Sequence, residues 1–205
     1  MRFKRLLRLN LFKTFYYSLK FKGKFLVGRN VSISLSRNSK VTFDKGAYLE
    51  LGIDYHIGRK TVLELSNNSH FYLKGKVKIM NGCLVSLYEN ATVTIGNNTF
   101  LNENSKIISE DNIFIGNDCA ISWSVTIMDT DLHDIYINNV KKERKKTIFI
   151  GNNVLIGANA SILKGAQVQS FSIVSFGTIV RSNSDLYNTI HFNDKSISFR
   201  ELKWK

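Results

Sequence analysis

At 205 residues, 43% hydrophobic and 22% charged, the chain has material for one soluble domain, or one domain with an appendage. No apolar run approaches the ~18 residues of a membrane-spanning helix. The start, MRFKRLLRLNLFKTFYYSLKFKGK, is interrupted by Lys and Arg and has no small-residue cleavage site, so no secretory signal is expected. The formal charge of +13 is spread along the chain, with concentrations at residues 2–24 and Lys141–Lys146. It would attract nucleic acid, anionic lipid or a phosphorylated small molecule, or serve only solubility. Cys83 and Cys119 lack metal-ligand spacing and suit a reducing, cytoplasmic setting.

Residues 3–20 place Phe3, Leu6, Leu7, Leu11, Phe15 and Leu19 near helical spacing, with Lys4, Arg5, Arg8, Lys13 and Lys20 largely elsewhere. This predicts a short amphipathic helix in a basic segment, 1–24. It would either cap the open end of the fold or lie on a membrane surface. From residue 25, strands alternate with turns. Val41–Phe43 to Leu49–Leu51, Leu63–Leu65 to Phe71–Leu73, and Val85–Leu87 to Val93–Ile95 share one pattern, with Phe43, Leu65 and Leu87 at intervals of 22.

A six-residue beat then emerges. Ile95, Leu101 and Ile107 are followed, after a two-residue insertion, by Ile115, Ile121 and Ile127. Ile150, Ile156, Ile162, Val168, Val174 and Val180 continue it. Neither a helix of period 3.6 nor a strand of period 2 sustains six. A chain that turns a corner after each short strand does, sending one aliphatic side chain inward per face. The chain contains no proline, so its corners fall to Gly, Asn, Asp and Ser. The beat predicts an all-β solenoid over residues 25–182, in which each coil buries its faces only by stacking on the next. Residues 129–147 (DTDLHDIYINNVKKERKKT) have no hexad register and read as an extruded loop. Residues 183–205 read as a tail packing over the last coil, with Ile190, Ile197, Phe199, Leu202 and Trp204 as apolar anchors.

Two segments, IGNDCAISWSVTIMDTDLHDI (115–135) and IGNNVLIGANASILKGAQV (150–168) followed by SIVSFGTIV (172–180), resemble the hexapeptide-repeat acyltransferases, in particular their sugar O-acetyltransferase branch. The resemblance covers roughly residues 85–200. It implies a left-handed parallel β-helix, a homotrimer with active sites between subunits, acetyl-CoA as co-substrate and a carbohydrate acceptor, with a surface polysaccharide or its precursor as the expected one.

By this resemblance His133 is the general base, because an imidazole near neutral pKa can take the proton of an attacking hydroxyl. Asp131 or Asp129 would fix its tautomer, with Asp131 on the same side of an extended backbone; each could equally be a turn residue. Asn102, in FLNENSKII, is placed against the acceptor, where an amide can orient a hydroxyl; it could also be a corner Asn, as could Asn104. Gly157, Ala158, Phe176, Gly177 and Thr178 fall along the expected coenzyme path, and Arg181 and Arg200 near its phosphate end. Leu155 stands where many members carry Trp, Phe176 where Ala is usual, and Phe192-Asn193-Asp194-Lys195 where the tail motif is Gly-Asn-Pro-Ala.

His56, His70 and His191 fall outside this pattern. With no second histidine in register with His133, no metal is expected. KKERKK reads as a solvated loop, and no nucleic-acid motif accompanies it. The competing readings are an amino-sugar N-acetyltransferase and a catalytically inactive solenoid scaffold. The expected location is cytoplasmic, with peripheral contact to the inner face of the membrane through residues 1–24 as a further expectation.

Overall fold

A computed structural model describes residues 7–53, 59–181, 189–192 and 195–198. Among the described residues, the helix α1 (Leu11–Lys20) is followed by a three-faced parallel β-helix. The first coil is β1 (Lys24–Val27), β2 (Val31–Leu35) and β3 (Lys40–Phe43), and the second β4 (Tyr48–Leu51), β5 (Thr61–Leu65) and β6 (His70–Leu73). The third is β7 (Lys76–Ile79), β8 (Leu84–Leu87) and β9 (Thr92–Ile95), and the fourth β10 (Thr99–Leu101), β11 (Lys106–Ser109) and β12 (Asn112–Ile115). The fifth, β13 (Ala120–Ile121) and β14 (Thr126–Met128), is interrupted by a hairpin, β15 (Tyr136–Ile137) and β16 (Val140–Lys141), before β17 (Ile148–Ile150). The sixth is β18 (Leu155–Ile156), β19 (Ser161–Leu163) and β20 (Gln167–Val168). After β21 (Ile173–Val174) and β22 (Ile179–Val180), β23 (Thr189–Phe192) and β24 (Lys195–Ser198) follow.

Each coil gives one strand to each of three stacked sheets. Sheet I runs β1-β4-β7-β10-β13-β18-β21-β23-β24, sheet II β2-β5-β8-β11-β14-β19-β22, and sheet III β3-β6-β9-β12-β17-β20. The hexad residues form the core. Ile150, Ile156, Ile162, Val168 and Val174 have no exposed surface, and Val180 is buried beside them, the six falling on sheets III, I, II, III, I and II in turn.

Between sheets III and I an asparagine ladder closes the corners. Lys76 N donates to Asn97 Oδ1 (3.0 Å), Asn97 N to Asn117 Oδ1 (2.7 Å) and Asn117 N to Asn152 Oδ1 (2.8 Å). The glycine before each Asn lets the coils approach: a Cβ on Gly116 would lie 2.4 Å from the Gly151 carbonyl oxygen.

The 22-residue interval proves to hold from β5 to β8, where Leu63 pairs with Val85 and Leu65 with Leu87. It does not reach Phe43, which pairs with Leu73 on sheet III, while Leu35 is the residue in register with Leu65. The corner at residues 52–60 is longer than its counterparts, so the first segment sits one face away from where its spacing placed it.

Of the stretch 3–20 that periodicity marked as helical, residues 3–6 lie outside the described residues, residues 7–10 are not helical, and the helix runs Leu11–Lys20. Asn10 caps it, accepting from Lys13 N (2.9 Å), and Leu9 is drawn into a bridge with Gly28. It lies along the open edge of β1 as a cap, with the Tyr17 and Phe21 rings packed on Phe25. Among the described residues no helix is long and apolar enough to cross a membrane.

Candidate active site

The corner from sheet I to sheet II repeats as a four-residue turn. Its third position is left-handed in successive coils: Gly82 (φ +74°), Asn104 (+59°), Ser124 (+58°), Asn159 (+58°) and Gly177 (+68°). Amide bonds stack the turns, Asn104 N to Asn81 O, Ser124 N to Glu103 O, Asn159 N to Trp123 O and Gly177 N to Ala158 O. Asn102, Ser122, Gly157 and Ser175 therefore form one column, and Glu103, Trp123, Ala158 and Phe176 the next.

Asn102 has its amide oxygen fixed by Glu103 N (2.9 Å) and its own N bonded to Ile121 O (2.8 Å). In the second column Trp123 (55% exposed) and Phe176 (71%) project on either side of Ala158 (5%). Two coil spacings of about 4.8 Å set the backbones of Trp123 and Phe176 about 10 Å apart, with the small Ala158 in the step between them as the floor of a notch. An added Cβ on Gly177 would meet nothing within 4 Å, so the notch is open on that side. The amides of Gly157 and Gly177 already donate within the coil stack, to Val174 O (2.7 Å) and Ala158 O (2.9 Å), and Thr178 is buried. What this corner offers a narrow pantetheine-like chain is shape and ring surface, and the residues fit such a group. Arg181 follows β22 at the end of sheet II; Arg200 and His56 lie outside the described residues.

Trp123 is the member of this constellation that sequence reasoning passed over. Its signal was positional: it holds the outward place of a hexad corner, in register with Ala158 and Phe176.

The extruded segment leaves the next corner, between sheets II and III, and is more ordered than its lack of hexad register suggested. β15 and β16 pair antiparallel through Asn138 (φ +51°) and Asn139 (+62°), the two left-handed residues of a tight hairpin. Its root is laced by Asp131 N to Arg144 O (2.9 Å) and Lys146 N to Asp129 O (2.9 Å).

Asp129 is fully buried and accepts from Ser109 Oγ (2.6 Å), Glu110 N (2.8 Å) and Asp111 N (3.1 Å). Burial pushes its carboxyl above the ordinary carboxylate range, against the pull of these three donors. Its observed contacts are those of a corner brace. Glu110 adds bonds to Thr130 Oγ1 (2.6 Å) and Arg144 Nε (3.2 Å). Asp131 pairs with Lys164, which also reaches the Glu143 carbonyl. His133 follows the left-handed Leu132 (φ +62°), is exposed, and has no hydrogen-bond partner among the described residues.

His133 and Asn102 thus sit on different corners of one protomer. They are separated by a face of sheet II about 15 Å wide, four to five residues at about 3.3 Å each. Of the other histidines, His70 is tied to Thr42 Oγ1 (2.8 Å) on sheet III and His191 falls in β23. Among the described residues no group of three or more His, Cys, Asp or Glu could hold a metal ion.

The fold is the left-handed parallel β-helix, and solved hexapeptide-repeat acetyltransferases share it. No protein-family model matches the chain. Over 148 residues it is 28% identical to a 24.8 kDa protein of the cps region of Klebsiella pneumoniae, covering 71% of this chain and 65% of that protein. Over 143 residues it is 29% identical to a polysialic acid O-acetyltransferase of Neisseria meningitidis, covering 68% and 59%. The chain thus spans less than two thirds of the length of these curated relatives. The crystal structure of the polysialic acid O-acetyltransferase OatWY superposes with a TM-score of 0.64 at 23% identity, over 85% of this chain and 92% of that one, and shares the fold.

Proposed function

We propose that the protein is an acetyl-CoA-dependent O-acetyltransferase acting on a carbohydrate hydroxyl, with a surface polysaccharide or its precursor as acceptor. The observation that carries the reading is placement. Asn102 and the Trp123–Ala158–Phe176 notch share one corner, and the Asp-x-His loop leaves the next. We infer a three-fold assembly in which the loop of one protomer would lie against the notched corner of its neighbour and so complete the site. Sequence similarity to a polysialic acid O-acetyltransferase supports a polymeric sugar acceptor.

Acetyl-CoA supplies the thioester whose acetyl group moves. Ala158 and Gly177, flanked by the Trp123 and Phe176 rings, would hold its narrow arm, with Thr178 shaping the turn beneath and Arg181 toward its phosphates. Asn102, with Oδ1 already fixed by Glu103 N, turns its Nδ2 hydrogens toward the acceptor oxygen. His133 takes the hydroxyl proton as that oxygen attacks the carbonyl carbon. It returns the proton to sulfur as the carbon–sulfur bond breaks, so no covalent enzyme intermediate is required. Asp131, held by Lys164, fixes the strand of loop that carries His133 two residues on. The setting is cytoplasmic, at the inner face of the membrane, with the basic start of the chain toward the lipid.

The test is thioester loss from acetyl-CoA with a panel of oligosaccharides. Turnover with hydroxyl acceptors is expected, with His133→Ala lowering kcat by about 10²–10⁴-fold and leaving the thermal melt unchanged, because the side chain is exposed. Preferential turnover of amino sugars, a loss below about tenfold, or no thioester cleavage with any acceptor would contradict the reading.

A further inference from the structure

The net charge has a location that the fold makes meaningful. Residues 1–43 carry eleven Lys and Arg and no Asp or Glu, whereas residues 44–205 carry eighteen basic and sixteen acidic residues. Almost all of the +13 therefore belongs to the N-terminal segment and the first coil.

α1 lies on that coil with its polar side inward. Thr14 Oγ1 accepts from Val27 N (3.0 Å), and Ser18 Oγ accepts from Phe25 N (3.0 Å) and donates to Phe25 O (3.2 Å). Lys13 Nζ donates to Val31 O (2.6 Å). These side chains satisfy the open edge of β1, and Tyr17 packs on Phe25. The apolar stripe faces away: Leu11 is 65% exposed, Phe12 80%, Phe15 68%, Tyr16 49% and Leu19 63%. Spacings of one, three, one and three residues place the five on one side of the helix. Lys20, Lys22 and Lys24 border its C-terminal end and are exposed, with the Lys20 ammonium 5.9 Å from the Tyr16 ring centre.

An exposed stripe of this kind requires a partner. Pairing it with the same face of a second copy would bring two strongly basic surfaces together. An anionic bilayer instead takes both features: the apolar stripe enters the headgroup boundary while the ammonium groups meet acidic lipid. We propose that the outward face of α1, with the basic first coil, is a docking surface for anionic membrane. This extends the membrane-side setting given above, and it orients the solenoid end-on, with the notched corners and loop held off the bilayer for a lipid-linked or growing glycan.

The experiment is vesicle co-sedimentation of the full chain, without acceptor or acetyl-CoA, so its outcome is independent of acetyl transfer. Vesicles of phosphatidylcholine with about 30% phosphatidylglycerol should bind at least about tenfold more tightly than phosphatidylcholine alone, given about fivefold per basic residue at the surface. Raising salt from about 0.1 to about 0.5 M should erode that preference. The Phe12→Glu/Phe15→Glu variant changes exposed side chains, so it should melt with the parent and bind at least about 30-fold more weakly. Lys20→Glu/Lys22→Glu should lose the anionic preference. Equal binding by parent and Phe variant, or equal binding to neutral vesicles, would overturn the proposal. So would a fall in oligomeric mass caused by the Phe variant, which would make the face a contact between copies.

Discussion

Gly177 separates the demands of the fold from those of the proposed site. Its φ of +68° is required by the corner, and the same left-handed place in earlier coils is taken by Asn104 and Asn159 at +59° and +58°. The fold therefore accepts asparagine here, at a cost of a few tenths of a kcal/mol up to about 1 kcal/mol, partly offset by a less free unfolded chain. For a chain of 205 residues that is a fall in Tm of no more than about 2–4 °C. The space beyond Gly177 is a different matter. An added Cβ would meet no protein atom within 4 Å, so the asparagine side chain would stand in the mouth of the notch between Trp123 and Phe176. Gly177→Asn should raise KM for acetyl-CoA at least about tenfold, about 1.4 kcal/mol of lost binding, with kcat changed less than about threefold. Thiol release measured against acetyl-CoA concentration, beside a thermal melt, reads both. An unchanged KM in a normally folded variant would refute the placement of the coenzyme at this corner.

Two further outcomes follow from the buried groups. Asp129→Ala removes the acceptor for Ser109 Oγ, Glu110 N and Asp111 N in a closed corner, and should cost roughly 3–5 kcal/mol in urea denaturation; a loss below about 1 kcal/mol would show that the brace is dispensable. Burial pushes the thiol of Cys83 from 9.0 up to about 12 and that of Cys119 to about 11, so both stay protonated in the folded chain while the unfolded chain ionises above pH 9. Their contribution is complete below pH 9 and is lost as pH rises toward 11–12. Stability should fall more steeply above pH 9 than in the Cys83→Ala/Cys119→Ala variant, by up to about 2.7 kcal/mol per pH unit, and equal slopes would contradict the assignment.

The late coils were legible in the sequence because each buries one aliphatic residue per face, and the six residues from Ile150 to Val180 fall in turn on the three sheets, two on each. The early coils were less so, because the long corner at 52–60 breaks the interval that linked Phe43 to Leu65. Periodicity identified α1 as amphipathic but could not say which side faced inward. The open edge of β1 demands hydrogen bonds, so Thr14 and Ser18 turned to it and Phe12 and Phe15 turned out. In the loop, Asp129 and Asp131 looked equivalent beside His133. Burial made one a brace, and Lys164, distant in sequence, claimed the other.

Everything chemical in this account rests on Asn102 of one protomer working with His133 of another. Asn102→Ala and His133→Ala, each expected to be strongly impaired alone, should therefore complement when unfolded together and reassembled. Random three-chain assembly gives a site with both wild-type residues about one time in four, so the mixture should recover roughly a quarter of the parent thioester cleavage. A mixture no more active than its components would contradict a shared site.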